Sequence, residues 1–220
     1  MKIYAHRGYS AAFPENTLAA FQGALDLGVF GVELDIHASS DGIPVVIHDD
    51  DLGGTTDGSG PVTAKSAAEL ASLDAGNGEG IPTLEEAVAL VGGKLHIDIE
   101  IKAKNCEQGV LDVLARYPKT AAAISAFDWD VLSRIRELDP AAELWVLADW
   151  IDRDAIAAAQ KLGATTLAID HTSVTESSMS QATAEGLRVM AWTVNSQREA
   201  NRLRELGVVA ICTDDPSTVH

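Results

Sequence analysis

The feature that most restricts what this 220-residue chain can fold into is a regular exchange between two hydrophobic patterns. Short apolar runs recur at residues 2–6, 31–37, 44–48, 95–101, 121–125, 143–148, 165–169, 188–194 and 208–213. Between them lie amphipathic stretches with helical spacing, at 15–27, 84–91, 110–117, 131–138, 154–162 and 197–206. Several of these end in Leu-Gly, as at 27–28, 162–163 and 206–207, a common helix stop. Strand–helix alternation of this kind implies parallel βα units. Nine strands are one too many for an eight-strand barrel, and chain length decides which is extra. Only residues 38–43 separate the run ending at His37 from Pro44. A parallel crossover needs a dozen or more residues, whereas a hairpin does not, and Asp41-Gly42 is a good tight-turn pair. Residues 44–48 are therefore expected to return antiparallel, as an arm after the second strand. The remaining eight predict an α/β TIM (β/α)8 barrel forming one domain over 1–220, at the short end for that fold. The glycine-rich stretches 53–60 and 76–80 read as loops.

Composition narrows the function. A hydrophobic content of 46% fills a core of this size, and a formal net charge of -17 argues against nucleic acid and anionic membrane surfaces. No apolar run approaches the roughly 18 residues of a membrane span, and the first residues lack a leader pattern. Two cysteines are too few for a disulfide framework. The expectation is a soluble, cytoplasmic protein with no membrane insertion.

The polar residues sit where such a barrel does chemistry. In the run Gly-Val-Glu-Leu-Asp-Ile, Glu33 and Asp35 share one face and Val32, Leu34 and Ile36 the other. The carboxylates then point into the barrel, where side by side they repel. A hard divalent cation relieves this, and so would a nearby Arg or Lys. The run His-Ile-Asp-Ile-Glu-Ile-Lys repeats the device, with His96, Asp98, Glu100 and Lys102 opposite three isoleucines. Glu100 and Lys102 fall at the C-terminal end of the strand, the catalytic end in this fold; His96 and Asp98 lie deeper and read as structural. Glu100 completes a three-carboxylate set, and Lys102 above it can hold a phosphate oxygen.

The first strand ends in His6-Arg7-Gly8, placing a guanidinium suited to phosphate at the mouth. The arm ends in His48-Asp49; with the turn at Asp41, position 47 lies across from Asp35 and His48 returns to the level of the carboxylates. Two imidazoles near one cation suit phosphodiester cleavage, in which one group takes a proton and another gives one. Trp192 is compatible with both the mouth and the core.

Taken together, the chain resembles the glycerophosphodiester phosphodiesterases. The motifs are HRG (6–8), PENT (14–17), Ala20-Phe21, ELD (33–35), DG (41–42), VVIHD (45–49), IPTLEEA (81–87), EIK (100–102), WTVN (192–195) and TDDP (213–216), in family order. The resemblance implies a divalent metal, Mg2+ or Ca2+, held by Glu33, Asp35 and Glu100. It implies phosphate contacts from Arg7 and Lys102, acid/base work by His6 and His48, and Trp192 against the glycerol moiety. It further implies hydrolysis of a small glycerophosphodiester to sn-glycerol 3-phosphate and an alcohol. Two departures are peripheral: Gly53-Gly54 precede Thr55-Thr56 where many members carry an Arg and an acidic residue, and the segment before Ile81 is short.

Three other readings fit less well. A lipase-type enzyme wants an apolar or basic membrane-facing surface, which an acidic chain does not suggest. A catalytically silent barrel would have lost a histidine or a ligand carboxylate. A sugar-phosphate isomerase or aldolase wants a glycine phosphate loop where Asn195 and Asp214-Asp215 stand.

Overall fold

Eight of the nine apolar runs close into a parallel barrel, as the spacing predicts. The computed structural model describes residues 1–219. In chain order the elements are β1 (Lys2–Ala5), α1 (Leu18–Leu27), β2 (Gly31–Ala38), β3 (Pro44–Val46), α2 (Ala67–Ala71), α3 (Leu84–Val91), β4 (His96–Ile101) and α4 (Glu107–Arg116). They continue with β5 (Ala122–Ala126), α5 (Trp129–Leu138), β6 (Leu144–Ala148), α6 (Arg153–Leu162), β7 (Thr166–Asp170), α7 (Glu176–Ala184), β8 (Arg188–Trp192), α8 (Gln197–Glu205) and β9 (Ala210–Thr213). The sheet runs β1-β9-β8-β7-β6-β5-β4-β2, and the β1–β2 pairing closes it. The short arm β3 pairs antiparallel with β2, Ile36 opposite Val46, and Ile47 donates its N–H to Asp35 O at 3.0 Å. That is the register inferred from the Asp41 turn.

The alternating strands separate two interiors. Val32, Leu34, Ile36, Ile97, Ile99 and Ile101 pack outward beneath the helices, each at most 2% exposed. The lower barrel is filled by Tyr4, Trp145, Met190 and Cys212 with the small Ala123 and Ala168. Burying one such aliphatic side chain contributes about 1.5–3 kcal/mol. Helix ends follow the sequence signals: Thr17 caps α1 by accepting from Ala20 N–H, and Gly28 and Gly163 end α1 and α6 at φ 67° and 61°.

Two features depart from the sequence expectations. Helix α7, capped reciprocally by Thr175 and Ser178, buries only Met179 and Ala182, so its apolar pattern is too sparse to announce a helix. The segment after β3 is also more ordered than a pair of glycine loops. Leu52, Val62, Ala67 and Leu70 pack with Val45, Ile47 and Ile81 into a small separate core that carries the arm. Among the described residues no helix is long and apolar enough to cross a membrane.

Candidate active site

The polar inward positions of β2 and β4 are brought together by register. Glu33 pairs with Asp98 and Asp35 with Glu100 across the parallel ladder. Glu33, Asp35 and Glu100 each offer an oxygen, all within 4.8 Å of one another. Glu33 and Asp35 are 5% and 1% exposed. Burial, then the neighbouring Asp35 and Glu100, pushes the Glu33 carboxyl well above the carboxylate range. Burial and Asp35 likewise raise Glu100. Glu33 Oε1 is buried with no hydrogen-bond partner among the described residues. A hard cation fits this set: three oxygen donors, crowded like charges and one orphaned buried oxygen.

The competing possibility, carboxylates answered by side-chain cations, is partly realised. Lys102 Nζ lies 2.6 Å from Glu100 Oε1 and 3.5 Å from Asp35 Oδ1. Burial would lower the Lys102 ammonium, but Glu100 and Asp35 outweigh it and raise it. Arg7 Nη1 holds Glu15 Oε1 at 2.8 Å, and its Nε stands 3.4 Å from Asp35 Oδ2 without a hydrogen bond. Among the described residues Glu33 accepts a hydrogen bond only from the backbone N–H of Arg7, at 2.9 Å. That contact requires the chain to leave β1 sharply. Arg7 sits at φ 57° and Gly8 at φ 79°, and a Cβ on Gly8 would stand 2.7 Å from Ala20 Cβ, so only glycine fits.

His6 and His48 both reach the same cavity, of about 130 Å³, lined also by Arg7, Glu33, Asp98, Glu100, Lys102, Phe127 and Trp192. His6 Nε2 is 3.9 Å from Glu33 Oε2. Each histidine is held on its other nitrogen by a carboxylate: His6 Nδ1 by Asp214 Oδ1 at 2.6 Å, His48 Nδ1 by Asp49 Oδ1 at 2.7 Å. The hydrogen bond from His6 lowers the Asp214 carboxyl. Trp192 lines the cavity and also packs on the lower-barrel cluster beneath it. Its ring meets Phe127 edge to face at 5.7 Å, and its buried Nε1 has no partner.

Of the deeper pair of β4, expected to be structural, Asp98 also borders the cavity and His96 does not. His96 accepts or donates at Nδ1 with Tyr4 Oη at 3.2 Å and stacks on Trp145. Asp98, 2% exposed, accepts from Ser125 Oγ at 2.7 Å, and burial pushes its carboxyl up to about 8.

Every candidate from the sequence thus converges on one mouth. Several neighbours were not singled out: Asp49, Asp214 and Asn195 behind the histidines, Glu15 and Asn16 behind Arg7 and Asp35, and Phe127. Asn16 Nδ2 donates to Asp35 Oδ2 at 2.8 Å from a φ of 57°. Its place inside PENT was the available signal. Phe127, a lone aromatic beyond a strand end, had none.

A closed eight-strand barrel with a buried carboxylate cluster and two imidazoles at its C-terminal mouth defines a barrel hydrolase. Comparison with known proteins narrows the class. The sequence profile of the glycerophosphoryl diester phosphodiesterase family matches residues 6–218. A glycerophosphodiester phosphodiesterase of Caldanaerobacter subterraneus is 32% identical, covering 99% of this chain and 95% of that protein. Among solved structures, an Oleispira antarctica phosphodiesterase in complex with the product sn-glycerol-3-phosphate superposes at TM-score 0.94 with 31% identity, over 98% of this chain and 94% of that one. A glycerophosphodiester phosphodiesterase from Thermotoga maritima superposes at 0.83 with 26% identity, over 97% and 94%. The chain belongs to the glycerophosphoryl diester phosphodiesterase family, and is thereby a phosphoric diester hydrolase.

Proposed function

We propose that residues 1–220 form a single catalytic domain that hydrolyses glycerophosphodiesters to sn-glycerol 3-phosphate and an alcohol, with a divalent cation, Mg2+ or Ca2+, and two-histidine acid/base catalysis. The observation that carries the proposal is the convergence of His6 and His48 on one cavity beside Glu33, Asp35 and Glu100. The product bound to the Oleispira relative supports the glycerol phosphate half of the substrate.

In this reading Glu33, Asp35 and Glu100 hold the cation, which supplies charge neutralisation and polarisation of a phosphoryl oxygen. Arg7 and Lys102 bind the remaining phosphate oxygens, and their charge counts for most as negative charge builds in the transition state. The free Nε2 of one histidine takes the proton from the attacking oxygen, and that of the other returns one to the leaving alcohol oxygen. Attack by water and attack by the substrate's own glycerol hydroxyl are both served by this arrangement. Trp192 and Phe127 form a wall for the glycerol carbons.

The test is an assay of chelator-stripped protein against a panel of glycerophosphodiesters, with Mg2+ or Ca2+ added back. Activity that vanishes on stripping and returns with a hard cation is expected. Full turnover in thoroughly metal-free protein would sink the three-carboxylate site, and failure on every diester would sink the substrate class.

A further inference from the structure

We infer that Asp214, clamped by Asn195, is a positioning residue that fixes which nitrogen of His6 faces the reacting phosphate. The parallel register Ala5↔Thr213 ends β1 and β9 side by side, so the next residues, His6 and Asp214, leave the barrel together. His6 N–H donates to Thr213 O at 2.8 Å, which holds the two backbones in step. Asp214 Oδ1 then meets His6 Nδ1 at 2.6 Å. Ser10 Oγ donates to His6 O at 2.8 Å and lies 3.5 Å from the same Asp214 oxygen.

The orientation of Asn195 settles how Asp214 is held. A backbone N–H can only donate, and Asp214 N–H points at Asn195 Oδ1 at 2.9 Å. Thr213 Oγ1 donates to the same oxygen at 3.0 Å. The amide nitrogen of Asn195 must therefore be the atom facing Asp214 Oδ2, at 2.6 Å. One carboxylate oxygen is thus occupied by Asn195 and the other is left to accept from His6 Nδ1–H. In the neutral ring this leaves Nε2 unprotonated on the side of Glu33 and the cavity. A ring so fixed is ready to accept a proton there without first turning or changing tautomer.

The clamp makes an unusual prediction for the conservative variant. In Asp214→Asn, Asn195 Nδ2 still needs an acceptor, so the new amide must turn its oxygen to Asn195 and its NH2 to His6. His6 Nδ1 then accepts, and the ring proton moves to Nε2, the wrong nitrogen. Removing the clamp as well, in the double variant Asp214→Asn with Asn195→Ala, frees the amide to turn over and present its oxygen to His6.

The role rests on the reading of His6 as a proton-transfer group, so two measurements separate the ideas. The first is ¹⁵N NMR of selectively labelled His6, at a pH where the ring is neutral. It should place the proton on Nδ1 in the parent enzyme, on Nε2 in Asp214→Asn, and again on Nδ1 in the double variant. The second is steady-state kinetics on the metal-loaded enzyme. Asp214→Asn should lower kcat by about 10²-fold or more with little change in KM, and the double variant should recover about 10-fold of that loss. A purely structural role predicts the opposite order, the double variant being worse, and that result overturns the inference. An unmoved ring proton in Asp214→Asn also overturns it. A tautomer that switches while kcat stays at the parent value keeps the clamp and removes His6 from the chemistry.

Discussion

Asp98 offers a direct test of the barrel interior, because a buried carboxyl must declare its charge through stability. The carboxyl has an ordinary value of 3.8 and is pushed up to about 8 by burial, with Glu100 and Asp35 adding repulsion and the Ser125 hydrogen bond opposing. A raised acid binds its proton more tightly in the folded state, so folding stability falls as pH rises from 3.8 towards 8. Each pH step above 3.8 costs the fold about 1.4 kcal/mol, which reaches about 4 kcal/mol by pH 7. Against a typical total of about 5–15 kcal/mol that is a large fraction. Asp98→Asn keeps the shape and the acceptor for Ser125 Oγ but removes the ionisation. In chelator-treated protein, where no bound cation adds its own linkage, urea unfolding of parent and variant should therefore diverge with pH. The variant is expected to be more stable by about 4 kcal/mol at pH 7 and by about 1 kcal/mol at pH 4.5. Groups that do not interact with Asp98 cancel in the difference. A gap that stays flat between these two pH values, or a variant less stable at pH 7, would refute the placement of Asp98 as a buried, mostly protonated acid.

The other expectations concern the mouth. His6→Ala and His48→Ala should each lower kcat by about 10²-fold or more, and a near-parental rate in either removes that residue from the mechanism. Glu33→Gln should weaken divalent-cation binding in calorimetry while leaving the far-UV spectrum intact; unchanged affinity would take Glu33 out of the ligand set. Lys102→Met should raise KM and lower kcat together, because a phosphate contact that strengthens as charge builds affects both. Moderate inert salt should leave kcat/KM unchanged or raise it, since it screens the repulsion of a chain carrying -17 over about 8 Å. A steep fall would reveal a steering positive surface.

Most of the fold was legible because its signals are local and repeated. The alternation of isoleucines along β4 against His96, Asp98, Glu100 and Lys102 assigns both faces of that strand without a partner. The six-residue gap before Pro44 identifies the arm, and counting back from Asp41 gives its register. What escaped needed partners far away in sequence. Asp214 is 208 residues from His6, and nothing between them says that β1 and β9 are neighbours until the barrel is closed. The small core of Leu52, Val62 and Leu70 has no periodic run, since its residues are spread through turns. Helix α7 escaped for the opposite reason, being mostly polar on every side.

The charge of the chain and the charge of its substrate are reconciled at the mouth rather than over the surface. With every group ionised, three carboxylates against Arg7 and Lys102 leave the inner cluster one unit negative, the wrong sign for a phosphodiester. Burial already resists that state, as the raised Glu33 and Glu100 carboxyls record. Both side-chain cations are also already engaged, Lys102 by Glu100 and Asp35, Arg7 by Asp35 on the inner side and by Glu15 at the rim, so they serve carboxylates rather than a ligand. If the three carboxylates hold a divalent cation as proposed, its charge would reverse the balance to one unit positive, the complement of a singly charged phosphodiester. Lys102, held by Glu100 at 2.6 Å, would then be freer to meet a phosphate oxygen, and cation and substrate binding would be coupled through the same few oxygens. An acidic surface then carries little cost, since the selectivity for an anion is built within a few ångströms of where the bond is cut.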